Sequence, residues 1–128
     1  MSKTKKPDMT TKQYETFAVR QRDSFAIISI LEKRIYMQMA EKFKDEISDF
    51  LKGGVEKIII DLSEVSVMNS AALGVLIALQ NDIENRQGKL SVVGLQPLME
   101  EIFYRMRLEL LFAIDPSIDA AIAKHTNV

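Results

Sequence analysis

The stretch that decides the fold reads Lys57-Ile58-Ile59-Ile60-Asp61-Leu62, then continues through a loop and Asn69-Ser70 into residues 71–86. Its first part is a short continuous apolar run, typical of a strand that is buried on both faces of a parallel sheet. Its last part is rich in alanine, leucine and isoleucine and ends before Gly88, which indicates a helix with a glycine stop. A buried strand that leads through a loop into a helix is the repeating unit of an α/β fold.

Strands and helices alternate outward from this stretch. Apolar runs bounded by turn residues predict four more strands, over residues 14–20, 25–31, 90–93 and 111–114. Apolar side chains at helical spacing predict three more helices, over residues 36–51, over residues 97–106 and after Ser117. We therefore predict a small α/β domain with about four helices. Its mostly parallel central sheet carries an antiparallel edge hairpin, closed by a loop at residues 21–24.

The composition excludes several classes of function. The 128 residues include 17 Lys and Arg against 18 Asp and Glu, a net charge of −1, which argues against nucleic-acid binding through phosphate attraction. The absence of cysteine and the single histidine exclude a disulfide framework, a thiolate zinc site and a multi-histidine metal site. The longest charge-free run, residues 65–81, has too short an apolar part to span a bilayer. We predict a soluble protein, and the lack of cysteine is compatible with the cytoplasm.

The amino-terminal residues differ in charge from the rest of the chain. Residues 1–12 have a net charge of +3, from Lys3, Lys5, Lys6 and Lys12 against Asp8. We predict a flexible basic tail over residues 1–12 and a single domain over residues 13–125. A weak contact between this tail and an acidic partner or a membrane is the alternative interpretation.

No motif of an enzyme is present. The five glycines form neither a phosphate-binding loop nor a dinucleotide fingerprint. The single histidine, His125, lies at the carboxyl-terminal end and is no candidate base for Ser70. Asp61 has only Glu64 nearby, whereas a metal site needs a cluster of carboxylates, so we expect Asp61 to bond backbone donors in the following loop. We therefore predict a binding protein without catalytic residues, metal or cofactor.

The junction between the buried strand and the following helix is the candidate site. In open α/β sheets, binding residues collect where strand ends meet helix beginnings. Asn69 and Ser70 are both good helix-capping residues, so one interpretation of Ser70 is a cap. The other is a phosphorylated serine, because the unpaired N–H groups at a helix start favour an anion. A phosphate there would be tolerated by the domain and would repel a docked partner.

The helix that follows Ser70 has more apolar residues than one buried face requires. One core stripe would consist of Ala72, Val75, Leu76, Leu79 and Ile83. Leu73 and Ile77 then point elsewhere, beside Gly74 and Ser70. Apolar side chains outside the core indicate a partner surface. The alternative is a helix wedged between the sheet and a neighbouring helix.

The same residues resemble a known family, the STAS domain, and in particular the bacterial anti-sigma factor antagonists. The resemblance lies in the strand Ile58-Ile59-Ile60-Asp61-Leu62-Ser63 and in the helix start Met68-Asn69-Ser70-Ala71-Ala72-Leu73-Gly74-Val75-Leu76. It covers about residues 13–125, because the order of elements also matches. It implies a non-enzymatic protein that binds an anti-sigma factor, itself a serine kinase of the GHKL type, and so releases the sigma factor. In that family the kinase phosphorylates the serine that corresponds to Ser70, which ends binding, and a PPM-type serine phosphatase restores it.

The resemblance also implies where the partner binds. The expected surface comprises Asn69, Ser70, Ala71, Leu73, Gly74, Ile77, Lys33, Arg34 and Tyr36. The sequence departs from the family pattern where Asn69 replaces aspartate, Ala71-Ala72 replace Ser-Gly, and Lys33-Arg34-Ile35-Tyr36 replaces Gly-x-Leu-Asp. The alternative function is therefore a constitutive STAS adaptor, without phosphorylation, in a lipid-transport ATPase complex or a stress-signalling complex. Whether the chain self-associates stays open.

Overall fold

The computed structural model describes residues 14–126, without the side chains of residues 37, 38, 125 and 126, and the predicted basic tail lies outside them. The strands are β1 (Phe17–Arg22), β2 (Phe25–Ile30), β3 (Arg34–Ile35), β4 (Lys57–Asp61), β5 (Val67–Met68), β6 (Lys89–Val93) and β7 (Ala113–Asp115). The helices are α1 (Met37–Leu51), α2 (Ser70–Asn85), α3 (Pro97–Arg105) and α4 (Ile118–Thr126), with a 3₁₀ turn at Leu108–Leu110. None of the helices in the described residues is both long and apolar enough to cross a lipid bilayer.

Five of the strands form the main sheet, in the order β1-β2-β4-β6-β7. β1 is antiparallel to β2, and every other neighbouring pair in this sheet is parallel. The predicted fold class is therefore confirmed, with an antiparallel edge hairpin and, within residues 14–126, four α-helices. β3 and β5 form a separate two-stranded sheet, which the sequence did not predict.

The apolar run at the start of the deciding stretch is buried on both faces of the sheet. Ile58 and Ile60 belong to the core that α1, α2 and α3 cover, and Ile59 belongs to the core that α4 covers. All three side chains are fully buried, because successive residues of a strand point to opposite faces. Since β4 is the central strand of the sheet, its carboxyl end at Asp61 leads the chain to the middle of that edge.

The hairpin turn and the start of the last strand differ from their predicted positions. β1 extends to Arg22, so the hairpin turn contains only Asp23 and Ser24, both with positive φ (53° and 76°). Two left-handed residues define the type I′ turn, whose twist matches that of the flanking strands. The last strand begins at Ala113, later than predicted, because a 3₁₀ turn precedes it.

Arg86 ties the end of α2 to the end of α1. Its guanidinium donates hydrogen bonds to the carbonyls of Leu51 (3.2 Å) and Val55 (3.1 Å), and it lies 3.2 Å from the Asp82 carboxylate. The last carbonyls of a helix have no partner within the helix. The Leu51 carbonyl accepts from the Gly54 N–H (3.1 Å) just beyond the helix, and Arg86 adds a second donor that links the ends of the two helices.

We expect Arg86→Ala to lower the free energy of unfolding by about 1.5 kcal/mol, because it removes two hydrogen bonds from a charged donor. Urea denaturation of the purified domain measures this difference. Arg105→Ala is the control, since Arg105 is exposed and, among the residues that the structure describes, pairs only with Glu101 one helical turn away. That exposed pair is worth less than about 0.5 kcal/mol. Equal losses for the two variants would contradict the role assigned to Arg86.

Candidate functional site

A short two-stranded sheet holds the candidate site together. β3 runs parallel to β5, with Arg34 paired to Val67 and Ile35 paired to Met68. The Asn69 N–H donates a hydrogen bond to the Ile35 carbonyl (3.0 Å) directly before α2 begins. Ile35 and Met68 are buried and anchor this small sheet to the core. The turn before α1 and the start of α2 therefore lie side by side.

Asn69 is the N-cap of α2. It has an extended backbone (φ −82°, ψ 174°), and its Oδ1 accepts a hydrogen bond from the Ala72 N–H (2.9 Å). Ser70 is the first residue of α2 and is exposed, and its hydroxyl makes no hydrogen bond to any residue that the structure describes. The interpretation of Ser70 as the cap is therefore wrong. Because Asn69 performs the capping, the Ser70 hydroxyl is left accessible at the start of the helix.

Most of the predicted partner residues face solvent. Three of them lie at the start of α2 and are exposed: Ser70, Ala71 and Gly74. Three lie in the neighbouring turn and are also exposed: Lys33, Arg34 and Tyr36. Asn69 and Ile77 are half-buried. The structure thus brings together two segments that lie more than 30 residues apart in the chain.

Leu73 is the exception among these residues. It is only 4% exposed and packs in the main core. The buried stripe of α2 consists of Ala72, Leu73, Leu76, Leu79 and Ile83, whereas Val75 is half-buried. The helix is rotated so that Leu73 takes the place predicted for Val75. Assigning Leu73 to the partner surface was therefore wrong, because its side chain points into the protein.

Asp61 organises the loop that leads from β4 to the site. Its Oδ1 accepts a hydrogen bond from the Ser63 N–H (3.0 Å), which confirms the expected backbone-bonding role. The Gln96 side chain donates to the Ser63 carbonyl (2.8 Å). A Cβ at Gly94, which has a φ of +74°, would lie 2.9 Å from Asp61 Oδ1. Among the side chains that the structure describes, no three acidic or histidine groups lie close enough together to hold a metal ion.

The charged residues of the predicted partner surface are both positive. Lys33 and Arg34 are exposed beside the start of α2, and none of the predicted surface residues carries a negative charge. The N–H groups of the first turn of α2 add the positive end of a helix dipole. An anion attached at Ser70 would therefore meet a favourable field on this domain.

A groove between α1 and α2 begins beside Ser70 and was not predicted from the sequence. It has a volume of about 450 Å³, and the buried side chains of Ile47 and Leu79 lie at its base. Gly74 lines it, and a Cβ built at that position would meet no atom within 4 Å. Glycine inside a helix costs about 1 kcal/mol relative to alanine. Gly74 was the one signal of this groove in the sequence, because it interrupts the otherwise apolar run of residues 71–79.

Comparisons with solved structures show the fold. A protein from Thermotoga maritima, provisionally described as an anti-sigma factor antagonist, superposes with a TM-score of 0.76 at 23% identity, over 86% of this chain and 94% of that one. The Bacillus cell fate determinant SpoIIAA, in its phosphorylated form, superposes with a TM-score of 0.64 at 18% identity, over 84% of this chain and 97% of that one. Both likenesses extend over nearly the whole domain.

Comparisons of sequence identify the family. A protein from Bordetella bronchiseptica, provisionally named anti-sigma factor antagonist BtrV, is 25% identical over 97 residues, which are 76% of this chain and 84% of that protein. A family model described as the STAS domain matches residues 16–121 of this chain. Because that match includes the main sheet, the candidate site and most of the helices, the chain belongs to the STAS domain family.

Proposed function

We propose that this protein is an anti-sigma factor antagonist that is switched at Ser70. In its unmodified form it binds an anti-sigma factor that is also a serine kinase of the GHKL type. Phosphorylation of Ser70 ends this binding, and a PPM-type serine phosphatase reverses the modification. The observation that carries the proposal is the accessible Ser70 hydroxyl, since Asn69 and not Ser70 caps α2. In this scheme the protein is a substrate of both enzymes and catalyses neither reaction.

The domain itself would tolerate a phosphate on Ser70. Ser70 is exposed, so the phosphate would stay hydrated and would displace no buried group. A phosphate carries close to two negative charges near neutral pH, and the start of a helix favours negative charge by about 0.3–1 kcal/mol. The cations of Lys33 and Arg34 lie in the adjacent turn. A partner docked over the same residues would instead bury this charge, which is strongly unfavourable.

The replacement of the family's aspartate by Asn69 is compatible with this switch. The cap requires a side-chain oxygen that accepts the Ala72 N–H, and asparagine supplies it as well as aspartate does. The replacement removes a negative charge beside Ser70 and leaves the start of α2 unchanged. We therefore expect phosphorylated Ser70 to be better tolerated here than beside a carboxylate.

The proposal predicts opposite behaviour of two Ser70 variants. Ser70→Ala is expected to retain the kinase, and Ser70→Glu is expected to bind it at least about tenfold more weakly, because the carboxylate would be desolvated in the interface. Neither variant should lower the midpoint of thermal unfolding, since position 70 is exposed and favours negative charge. Pull-downs from the native host, with partners identified by mass spectrometry, come first. Titrations with the purified partner then measure the affinities.

Gln87→Glu is the control, because it adds the same charge at an exposed position just after α2. It should bind the kinase like wild type. Recovery of phosphate on Ser70 from native protein would support the switch directly. A transport ATPase or a stress-signalling complex that both Ser70 variants retain equally would overturn the proposal in favour of a constitutive adaptor.

A further inference from the structure

The groove between α1 and α2 begins next to the Ser70 site and runs toward the carboxyl-terminal ends of the two helices. Ala71, the residue after Ser70, lines its open end. Leu51 and Asp82 line its far end, where the Arg86 guanidinium bonds the Leu51 carbonyl and pairs with Asp82. The groove thus extends from the proposed switch along the outer surface of both helices.

The interior of the groove is apolar and has the volume of a binding pocket. Ile47 and Leu79 form its base, and the half-buried side chains of Leu51 and Val75 line its walls. Its volume of about 450 Å³ lies within the roughly 300–1,000 Å³ of typical ligand pockets. It is therefore large enough to hold apolar side chains from another molecule.

No contact within the described chain explains the glycine at position 74. Gly74 lies inside α2 without a positive φ, and a Cβ there would meet nothing within 4 Å. Alanine would therefore fit and would stabilise the helix. The bare backbone leaves the groove wide beside the Ser70 site, where an approaching molecule would come close to α2.

The charges at the groove are unbalanced. Asp82 is neutralised by Arg86 at a distance of 3.2 Å. On the opposite wall, Lys44 is exposed and has no ion-pair partner among the described residues, whereas Lys42 on the same helix pairs with Glu15. The groove is therefore apolar and carries one unpaired positive charge, that of Lys44, on its wall. This combination complements an apolar side chain that is flanked by a carboxylate.

We infer, building on the proposed function, that the anti-sigma factor extends its contact from Ser70 into this groove. It inserts an apolar side chain between α1 and α2 beside Gly74 and places a carboxylate against Lys44. The partner is thereby recognised by two features of different chemistry: the uncharged Ser70 and the apolar groove. The first serves as the switch, and the second supplies affinity through buried apolar surface.

The test is a graded pair of substitutions at Gly74. Gly74→Ala adds one methyl group, and Gly74→Leu fills the groove with an apolar side chain. Both should raise the midpoint of thermal unfolding, because both residues favour the helix more than glycine does. In titrations with the purified GHKL kinase recovered on Ser70→Ala protein, Gly74→Leu should bind at least about tenfold more weakly, and Gly74→Ala within about threefold of wild type.

A second pair of substitutions tests the charge. Lys44→Glu should weaken binding of the same kinase by about tenfold at low salt, and less at high salt. Lys52→Glu makes the same charge change at an exposed position outside the groove and should bind within about twofold of wild type. Equal weakening by both substitutions would show a general electrostatic attraction and would overturn the contact assigned to Lys44.

The outcomes separate the groove from the switch. A kinase that binds Gly74→Leu as tightly as wild type, but still discriminates Ser70→Glu, overturns the groove and leaves the proposed function intact. If Ser70→Ala protein retains no kinase, the proposed function fails and the groove assignment fails with it. A wild-type dimer that Gly74→Leu converts to a monomer, at unchanged kinase affinity, would make a second copy of this chain the occupant and overturn the inference.

Discussion

Gly88→Ala is expected to lower the free energy of unfolding by about 3 kcal/mol or more. Gly88 lies between α2 and β6, and a Cβ built on it would stand 2.1 Å from the Glu56 carbonyl oxygen. The neighbouring Lys89 N–H donates to that same oxygen (2.8 Å), so the two backbones cannot separate without losing this bond. The clash would therefore displace the start of β6 from β4, where Lys57 pairs with Lys89. Because the clash is with the backbone of Glu56, no side-chain movement can relieve it.

Thermal and urea denaturation measure this loss, which corresponds to roughly 10 °C in the midpoint of thermal unfolding. Gly53→Ala is the matched control. Gly53 lies after α1 without a positive φ, and a Cβ there would meet the Phe50 carbonyl oxygen at an ordinary 3.4 Å. We expect this variant to stay within about 0.5 kcal/mol of wild type. If Gly88→Ala is as stable as Gly53→Ala, the start of β6 can move away from β4 without loss of stability, which would contradict the prediction.

Glu46→Ala is expected to lower the free energy of unfolding by about 2–3 kcal/mol. The Glu46 carboxylate on α1 accepts hydrogen bonds from the Thr16 N–H (2.9 Å), the Thr16 hydroxyl (2.6 Å) and the Glu15 N–H (3.0 Å). Thr16 is fully buried, so removing the carboxylate leaves two of its donors without a partner away from water. Denaturation by urea measures the loss. Glu41→Ala, at an exposed position of the same helix, should change stability by less than about 0.5 kcal/mol.

The same carboxylate makes stability depend on pH. Partial burial is the largest single influence on Glu46 and opposes its ionisation, but the hydrogen bonds from Thr16 and Glu15, together with the charge of Lys42, outweigh it. They hold the pKa of Glu46 below its ordinary value of 4.5. A lowered folded-state pKa means that this stabilisation is present above the unfolded pKa and is lost as the pH falls through the folded pKa.

The pH dependence is checked by comparing wild type with Glu46→Gln. Glutamine cannot carry the charge, so the stability difference between the two proteins should be largest near pH 7 and should shrink as the pH falls below about 4.5. A difference that stays constant over this range would show that the hydrogen bonds do not favour the ionised form.

The larger elements could be predicted because each carries its own local pattern. The run of three isoleucines predicted the buried strand β4, and the spacing of apolar residues predicted α1. β3 and β5 could not be predicted, because each contains two residues and exists only through pairing with the other. The first strand begins later than predicted, because the N–H groups of Glu15 and Thr16 donate to the Glu46 carboxylate on α1 and not to a neighbouring strand.

The candidate site was predicted in part. Ser70 was predicted from the strand–helix junction as well as from the family pattern, and the neighbouring turn from the family pattern; the two segments lie side by side in the structure. The register of α2 could not be read, because residues 71–79 are almost all apolar and fit more than one buried stripe. Packing against the sheet and α1 selected the register that buries Leu73 and leaves Gly74 facing solvent.

The sequence by itself determined the α/β order of elements, the strand that is buried on both faces, and the family, because each of these depends on residues close together in the chain. The tertiary structure alone decided that Asn69 caps α2 in place of Ser70, that Leu73 is buried in the core, and that a groove opens beside Gly74. These features depend on the rotation of one helix and on contacts between segments far apart in sequence. No local pattern encodes such distances, so they appear only when the chain is packed.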